Sequence, residues 1–437
     1  MFPRCAALVL ALLLAGPAFA EDPPSRPAVD APELARLGAY GVGVRTLTLV
    51  QKDQADVLAF NPATGAAPLK DRRLEVQLWY PASPAANAKP VIYSAALPGA
   101  PPRGPSAFTV PGIAVRDAPE IAGRFPLVIL SHGYSNAPEA MSWLGENLAS
   151  KGYVVAAIGH HDPDISDRTR FAEPMLRRPL DIAFVAQTLQ ARARAGAPGL
   201  VGADPTRMAL IGYSMGGYGS LIVAGGGLDP QGALVRGVPG GLLAAYARGG
   251  PKQAELNVPG LKAVVAIAPA GVRFGAWGSD GLAGITTPLL LIGGDHDATV
   301  GFADGIAPVF DQAVHADRTL LVFQNAGHSI GMSAAPPQMR ADLYDFHWFE
   351  DAVWRKERIM GIDQHVITAF LDRHVKGDDS RSAYLESDVA VGGEGKWPAV
   401  ATAYDAVSPG GPGATWKGFH RNSAVGLELR RRACLLY

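Results

Sequence analysis

Cysteine is almost missing from this chain of 437 residues, which holds only Cys5 and Cys434. Loss of the first twenty residues, argued below, would leave Cys434 alone, so no intramolecular disulfide could form and stability must come from packing. A cysteine nucleophile is disfavoured for the same reason, because Cys434 sits in a basic C-terminal tail and not at a strand end. Excess charge of either sign is lacking too: 39 Lys and Arg face 40 Asp and Glu, a formal net charge of −1. No electrostatic footprint for nucleic acid is present, and Arg430-Arg431-Arg432 reads as a solvated tail. Long apolar runs are confined to the start. Met1-Phe2-Pro3-Arg4 carries one positive charge and leads into an apolar stretch from Ala6 to Ala15 that ends at Ala18-Phe19-Ala20. That is the pattern of a secretory signal peptide over 1–20 with an Ala-x-Ala cleavage site, too short to span a bilayer. A periplasmic or secreted location without stable membrane insertion is expected.

Glycine, by contrast, is abundant at 51 residues, and its placement organises the rest. Residues 21–40 begin with a stretch rich in proline and alanine and read as a disordered leader. Val42 to Val50 and Leu74 to Tyr80 have strand patterning and suggest an antiparallel start to a sheet. Residues 81–124, dense in Pro, Ala and Gly, read as a long surface excursion and not as a separate domain. From Phe125 strands and helices alternate. Strands are expected at Leu127–Leu130, Tyr153–Ile158, Met208–Ile211, Ala263–Ile267, Leu289–Ile292 and Leu320–Phe323, with helices near 138–151, 179–194 and 363–376. Short apolar runs without alternation imply strands buried on both faces, hence a mostly parallel sheet with helices on both sides. One catalytic domain over 41–376 is therefore expected, with a glycine-rich insertion at 225–260 as a possible lid and a C-terminal extension over 377–437.

The pattern Gly-x-Ser-x-Gly occurs twice, at Gly212-Tyr213-Ser214-Met215-Gly216 and at Gly327-His328-Ser329-Ile330-Gly331. The first follows an apolar run and precedes the small-residue stretch Gly217 to Ala224. Strand, forced turn and helix make a nucleophile elbow, in which the serine backbone is strained and its flanking glycines avoid collision with neighbouring chain. After the second copy, Pro336-Pro337 oppose a helix continuing from the turn. Context therefore selects Ser214.

A serine hydroxyl needs a base within hydrogen-bond reach and an acid to orient that base. His328 follows the last apolar run through Gln324-Asn325-Ala326-Gly327, where an imidazole can reach back across the strand tops. For the acid, Gly293-Gly294-Asp295-His296-Asp297 offers two carboxylates. Asp297 is favoured because it lies further past the strand end, with Asp295 as the alternative acid or a brace for the turn. Developing negative charge needs two backbone donors: one from Met215, after the nucleophile, and one from Tyr134 in the loop Ser131-His132-Gly133-Tyr134. His132 precedes the nucleophile and is read as bracing that loop. The cluster His160-His161-Asp162-Pro163-Asp164 with Asp167 lacks the ligand spacing of a zinc or calcium site, so neither metal nor organic cofactor is expected. Tyr344, Phe346, Trp348, Phe349 and Trp354 serve either an acyl pocket or core packing.

His132-Gly133-Tyr134, Gly212-Tyr213-Ser214-Met215-Gly216-Gly217, Asp297-Ala298-Thr299-Val300 and Gly327-His328 together resemble the α/β-hydrolase superfamily. Leu78-Trp79-Tyr80-Pro81, Leu148 to Val155 and Arg178-Pro179-Leu180-Asp181 are similar to bacterial predicted dienelactone hydrolases related to platelet-activating-factor acetylhydrolase. The resemblance covers about Gly43 to Lys376. Dienelactone hydrolases proper carry cysteine as nucleophile where Ser214 stands, so the likeness does not extend to their substrate. Polyester hydrolases of the cutinase type share the Gly-Tyr loop and the Ser-Met-Gly-Gly sequence. The expectation is an α/β-hydrolase fold carrying an exported serine hydrolase that cleaves carboxylic esters of small or lipid-like molecules. The alternatives are a polyester or phospholipid acetyl-ester hydrolase, a peptidase or amidase, and a non-catalytic binding protein on the same scaffold.

Overall fold

The computed structural model describes residues 22–99, 102–398 and 403–435; the expected signal peptide lies outside them. Strands β1 (Gly41–Ala55) and β2 (Leu69–Ala82) pair antiparallel, with Gly41 opposite Ala82 and Leu49 opposite Leu74. Next come β3 (Ile92–Leu97) and β4 (Ser106–Pro111), which form a separate hairpin, and the two-residue β5 (Val115–Arg116) beside β1. The alternating region then runs through β6 (Phe125–Ser131), α1 (Ser142–Ser150), β7 (Val154–Gly159), α2 (Ala172–Arg194), β8 (Ala203–Tyr213) and α3 (Met215–Val223). It continues with the short α4 (Ala233–Arg236), β9 (Leu261–Ile267), β10 (Leu289–Gly294), α5 (Ala307–Gln312), β11 (Arg318–Phe323), α6 (Leu343–Phe349), α7 (Lys356–Leu371) and β12 (Leu427–Arg432).

One ten-stranded sheet has the order β12-β11-β10-β9-β8-β6-β7-β2-β1-β5. Its six central strands, β6 through β11, are parallel, while β2 and β12 join antiparallel at either flank. Every residue of β6, β7, β10 and β11 is buried, as it must be when both faces are covered by other layers. α2 packs with α3, and α1 with α7. The chain leaves β6 for β7 on one side and returns to β8 on the other, so β6 and β8 are neighbours with Ser131 opposite Gly212. Loops diverge at such a switch point and leave a crevice at the carboxyl ends of the strands.

Four expectations are corrected here. Residues 22–40 are ordered against the domain: Ser25 Oγ donates to Glu146 at 2.7 Å, Asn147 Nδ2 to the Ala35 carbonyl at 2.8 Å, and the Glu33 amide to the Gly418 carbonyl at 2.8 Å. Buried polar side chains on α1 supply partners that the leader's own composition does not reveal. The excursion at 81–124 contains the β3–β4 hairpin, whose Tyr93 donates to the buried Glu146 at 2.6 Å. Arg430, Arg431 and Arg432 are no solvated tail; they lie on the edge strand β12, paired with Glu428, Glu386, Asp317 and Asp311. The helix expected from 179 begins seven residues earlier and carries Pro179 in its interior. Pro179 has no amide to offer the Met175 carbonyl, and Tyr218 Oη on α3 donates to that carbonyl instead, at 3.0 Å.

Candidate active site

Ser214 stands between β8 and α3 with φ 54° and ψ −114°, a region that costs a non-glycine residue of order 1–3 kcal/mol. The turn that forces this is too tight for side chains on either side. A Cβ on Gly212 would lie 2.2 Å from the Gly216 carbonyl oxygen, and one on Gly216 would lie 2.0 Å from that of Ser131. The Ser214 amide donates to the Ile267 carbonyl at 2.9 Å, fixing the turn to β9.

His328 Nε2 lies 3.0 Å from Ser214 Oγ, and His328 Nδ1 lies 2.7 Å from Asp297 Oδ2. The other carboxylate oxygen of Asp297 accepts the amides of Thr299 and Val300, each at 2.9 Å. Burial pushes the Asp297 carboxyl up, but the bond and charge of His328 together with the two amides outweigh it and hold the pKa below the usual value. The histidine is fixed in turn: Tyr213 Oη donates to the His328 carbonyl at 3.0 Å, Asp351 accepts the Gly327 amide at 2.7 Å, and Lys356 Nζ donates to the Ser329 carbonyl. The three residues come from the ends of β8, β10 and β11.

The alternatives from the sequence are placed elsewhere. Asp295 accepts from the Asn325 amide at 2.5 Å and sits 2.8 Å from His296 Nδ1, bracing the turn after β10. Ser329 Oγ donates to the Glu350 carbonyl at 2.9 Å. His132 is fully buried; its Nδ1–H donates to the Gly133 carbonyl at 2.7 Å while Nε2 accepts the His160 amide at 3.4 Å. Burial and the neighbouring Arg178 and His160 drive its pKa well below normal, which fits this neutral tautomer.

Four members of the 160–167 cluster, His160, Asp162, Asp164 and Asp167, are engaged by protein groups. His160 bridges Ser131 Oγ and Asp181 at 2.8 Å each, Asp162 pairs with Arg178, and Asp164 and Asp167 cap turns at Ser166 and Thr169. Among the described residues no group of three or more His, Cys, Asp or Glu side chains could hold a metal ion.

A cleft of about 330 Å³ opens over Ser214 and His328, walled by Gly133, Tyr134, Ile165, Thr299, Tyr344 and Trp348. Tyr344 and Trp348 of the aromatic segment thus face the site, whereas Phe349 and Trp354 are core residues packed on Phe108 and Phe323. Nothing from 225–260 lines this cleft. That insertion packs along α2 instead, where Gly240, Leu242 and Tyr246 border a different cavity with Arg177 and Phe184. The roof over the serine is α6, held by Arg103 through ion pairs to Asp342 and Asp345 and by its guanidinium 4.5 Å from the Tyr344 ring.

A strained serine between a parallel strand and a helix, at the switch point of this sheet, defines an α/β-hydrolase fold. Comparison with known proteins agrees. Residues 112–230 match the family model described as PET hydrolase-like. Cutinase est1 of Thermobifida alba is 26% identical over 206 residues, covering 46% of this chain and 52% of the relative. Cutinase cut1 of Thermobifida fusca is 32% identical over 111 residues, covering 24% and 30%. Bis(hydroxyethyl) terephthalate hydrolase of Streptomyces coelicolor is 24% identical over 212 residues, covering 47% and 51%. The chain therefore spans about half the length, or less, of the curated relatives it matches. Ferulic acid esterase from Streptomyces cinnamoneus shares the fold with a TM-score of 0.50 at 21% identity, covering 77% of this chain and 91% of that one.

Proposed function

We propose that this protein is a serine esterase that hydrolyses carboxylic esters through an acyl-enzyme. The observation that carries the reading is the unbroken chain from Ser214 Oγ through His328 to Asp297, at 3.0 and 2.7 Å, opening into an apolar cleft. Ser214 Oγ attacks the ester carbonyl carbon as His328 Nε2 takes its proton. The tetrahedral adduct collapses with expulsion of the alcohol, which leaves with that proton. Water, deprotonated by the same imidazole, then attacks the acyl-enzyme and releases the acid. Asp297 keeps the imidazole in the tautomer that presents a free Nε2 to the serine.

Negative charge on the former carbonyl oxygen is met by the backbone amides of Met215 and Tyr134. Met215 opens α3, where first-turn amides have no carbonyl partner within the helix and the helix dipole favours an anion. A polyester or other extended ester is the second reading, supported by Tyr344 on the roof, 44% exposed, beside the exposed Leu343, and by the names of the relatives. Export through residues 1–20 belongs to the same proposal. Among the described residues no helix is long and apolar enough to cross a membrane.

Short-chain p-nitrophenyl esters test the assignment. Ser214→Ala should abolish turnover and stoichiometric labelling by a fluorophosphonate, while Ser329→Ala should leave both within a few-fold. Full turnover by Ser214→Ala would refute the reading, and a matched anilide series separates esterase from amidase.

A further inference from the structure

The mechanism leaves one buried charge unused. Arg178, on α2, is fully buried and reaches the loop after β6 from below. Its Nη1 donates to the His132 carbonyl and lies 3.3 Å from Ser131 Oγ; its Nη2 donates to the Gly133 carbonyl at 2.9 Å and to the Asp162 carboxylate. Asp162 in turn accepts the Ser135 amide at 3.1 Å. The guanidinium fork is thus spread over two consecutive carbonyls of the segment that carries Tyr134, and its charge is balanced by a carboxylate holding the far end of the same loop.

The geometry of a peptide group gives this contact a consequence. Carbonyl and N–H of one trans peptide point in opposite directions. The Gly133 carbonyl and the Tyr134 N–H belong to one peptide group, and the carbonyl is drawn toward Arg178 and the His132 ring. The Tyr134 N–H is therefore turned the other way, toward the cleft that Gly133, Tyr134 and Ser214 line together. Rotation of that plane would aim a carbonyl at the developing negative charge. Glycine at 133 has the conformational freedom to permit the rotation, so something else must forbid it.

We propose that Arg178 is a positioning residue for ester hydrolysis, which locks the Gly133–Tyr134 peptide with its N–H facing the oxyanion and so keeps the hole preformed. It touches neither substrate nor Ser214. Lysine cannot replace it, because an ammonium is a point donor and cannot span both carbonyls and Asp162 in the planar spread of a guanidinium. The packing of α2 on α3 keeps the fork in place: a Cβ on Gly219 would lie 3.2 Å from the Arg178 Cβ.

This inference rests on the esterase reading, and its test is separable from that of Ser214. Arg178→Met and Arg178→Lys would be assayed on a short-chain p-nitrophenyl ester and with an alkyl trifluoromethyl ketone, whose adduct with the serine bears the oxyanion. Loss of one oxyanion donor costs about 10²–10³ in turnover. We expect kcat to fall about 100-fold, KM to stay within about threefold, the ketone inhibition constant to rise in parallel with the fall in kcat/KM, and the pH profile to keep its shape. Arg178→Lys, which retains the buried charge, decides the matter if Arg178→Met does not fold. A folded variant with unchanged ketone affinity, or one altered in KM alone, overturns the proposal, whereas turnover surviving in Ser214→Ala would overturn the esterase reading itself.

Discussion

Asp297 and Asp295 stand two residues apart in one loop, yet only Asp297 reaches His328. The peptide run decides this: the Asp295 amide is still bonded to the β11 carbonyl of Phe323, so its carboxylate is held over the Asn325 amide, while Asp297 lies past the turn. Asp297→Asn should therefore lower kcat by roughly 10³–10⁴, because an amide stabilises the wrong imidazole tautomer. Asp295→Asn should change kcat by less than about tenfold and cost about 1 kcal/mol of stability through its weakened loop bond. Kinetics and urea unfolding of the two variants check this, and similar losses in kcat would reverse the assignment. At this scale Ser214, Asp297 and His328 were legible because each follows a recognisable strand within a few residues. Arg178, His160 and Asp162 were not, since their partners on the 131–135 loop lie 27 or more residues away in the chain, and nothing local marks a buried arginine as a brace.

Between residues and fold, the elements that escaped the sequence reading are those whose partners are remote or whose local signal is contradicted. β12 carries three consecutive arginines and becomes a strand because Leu427 and Leu429 are buried while its backbone pairs with β11. α2 continues through Pro179 because a tyrosine on α3 replaces the missing donor. The central strands, by contrast, were readable to within a few residues, since burial on both faces demands uninterrupted apolar runs. Residues 225–260, expected as a possible lid, do not line the cleft; it is walled instead by α6, a seven-residue helix N-capped by Asp342, whose side chain accepts the Tyr344 and Asp345 amides. Trp348 on that helix walls the cleft, and an aromatic contact is worth about 1 kcal/mol. Trp348→Ala should thus lower kcat/KM for benzoate or long-chain esters roughly fivefold while acetate esters stay within twofold, a comparison read from one substrate panel. Equal losses on acetate and benzoate would place Trp348 outside the acyl path.

Across the whole molecule, groups that titrate are buried in ways that tie stability to pH. Burial, with the positive charge of Arg178, depresses His160 to about 4, and burial with Lys151 depresses His365 to about 3, so between these values and about 6.5 the unfolded chain binds protons that the folded one refuses. Stability therefore rises with pH through that window, by about 1.4 kcal/mol per pH unit for each such histidine. Asp181 and Asp297 act in the same direction: burial raises both, but Arg72 with His160 and His328 respectively lower them further, and the stability they contribute is lost as pH falls below the ordinary carboxylate range. On the alkaline side, burial lowers Lys151 to about 7 and Lys356 to about 8, so the unfolded state again holds the extra protons up to about 10.5. Buried Tyr213 and Tyr218, raised by desolvation, reverse the sign above about 10, where the unfolded chain ionises first. Unfolding free energy from urea titrations should climb from pH 5 to 7 and again to 9, and His160→Gln should flatten the slope between pH 4.5 and 6.5 by about one proton. Burial raises the Asp363 and Glu146 carboxyls, which opposes this climb above the ordinary carboxylate range, so the decisive reading is the difference between wild type and variant: a slope untouched by His160→Gln would show that His160 takes up its proton in the folded state.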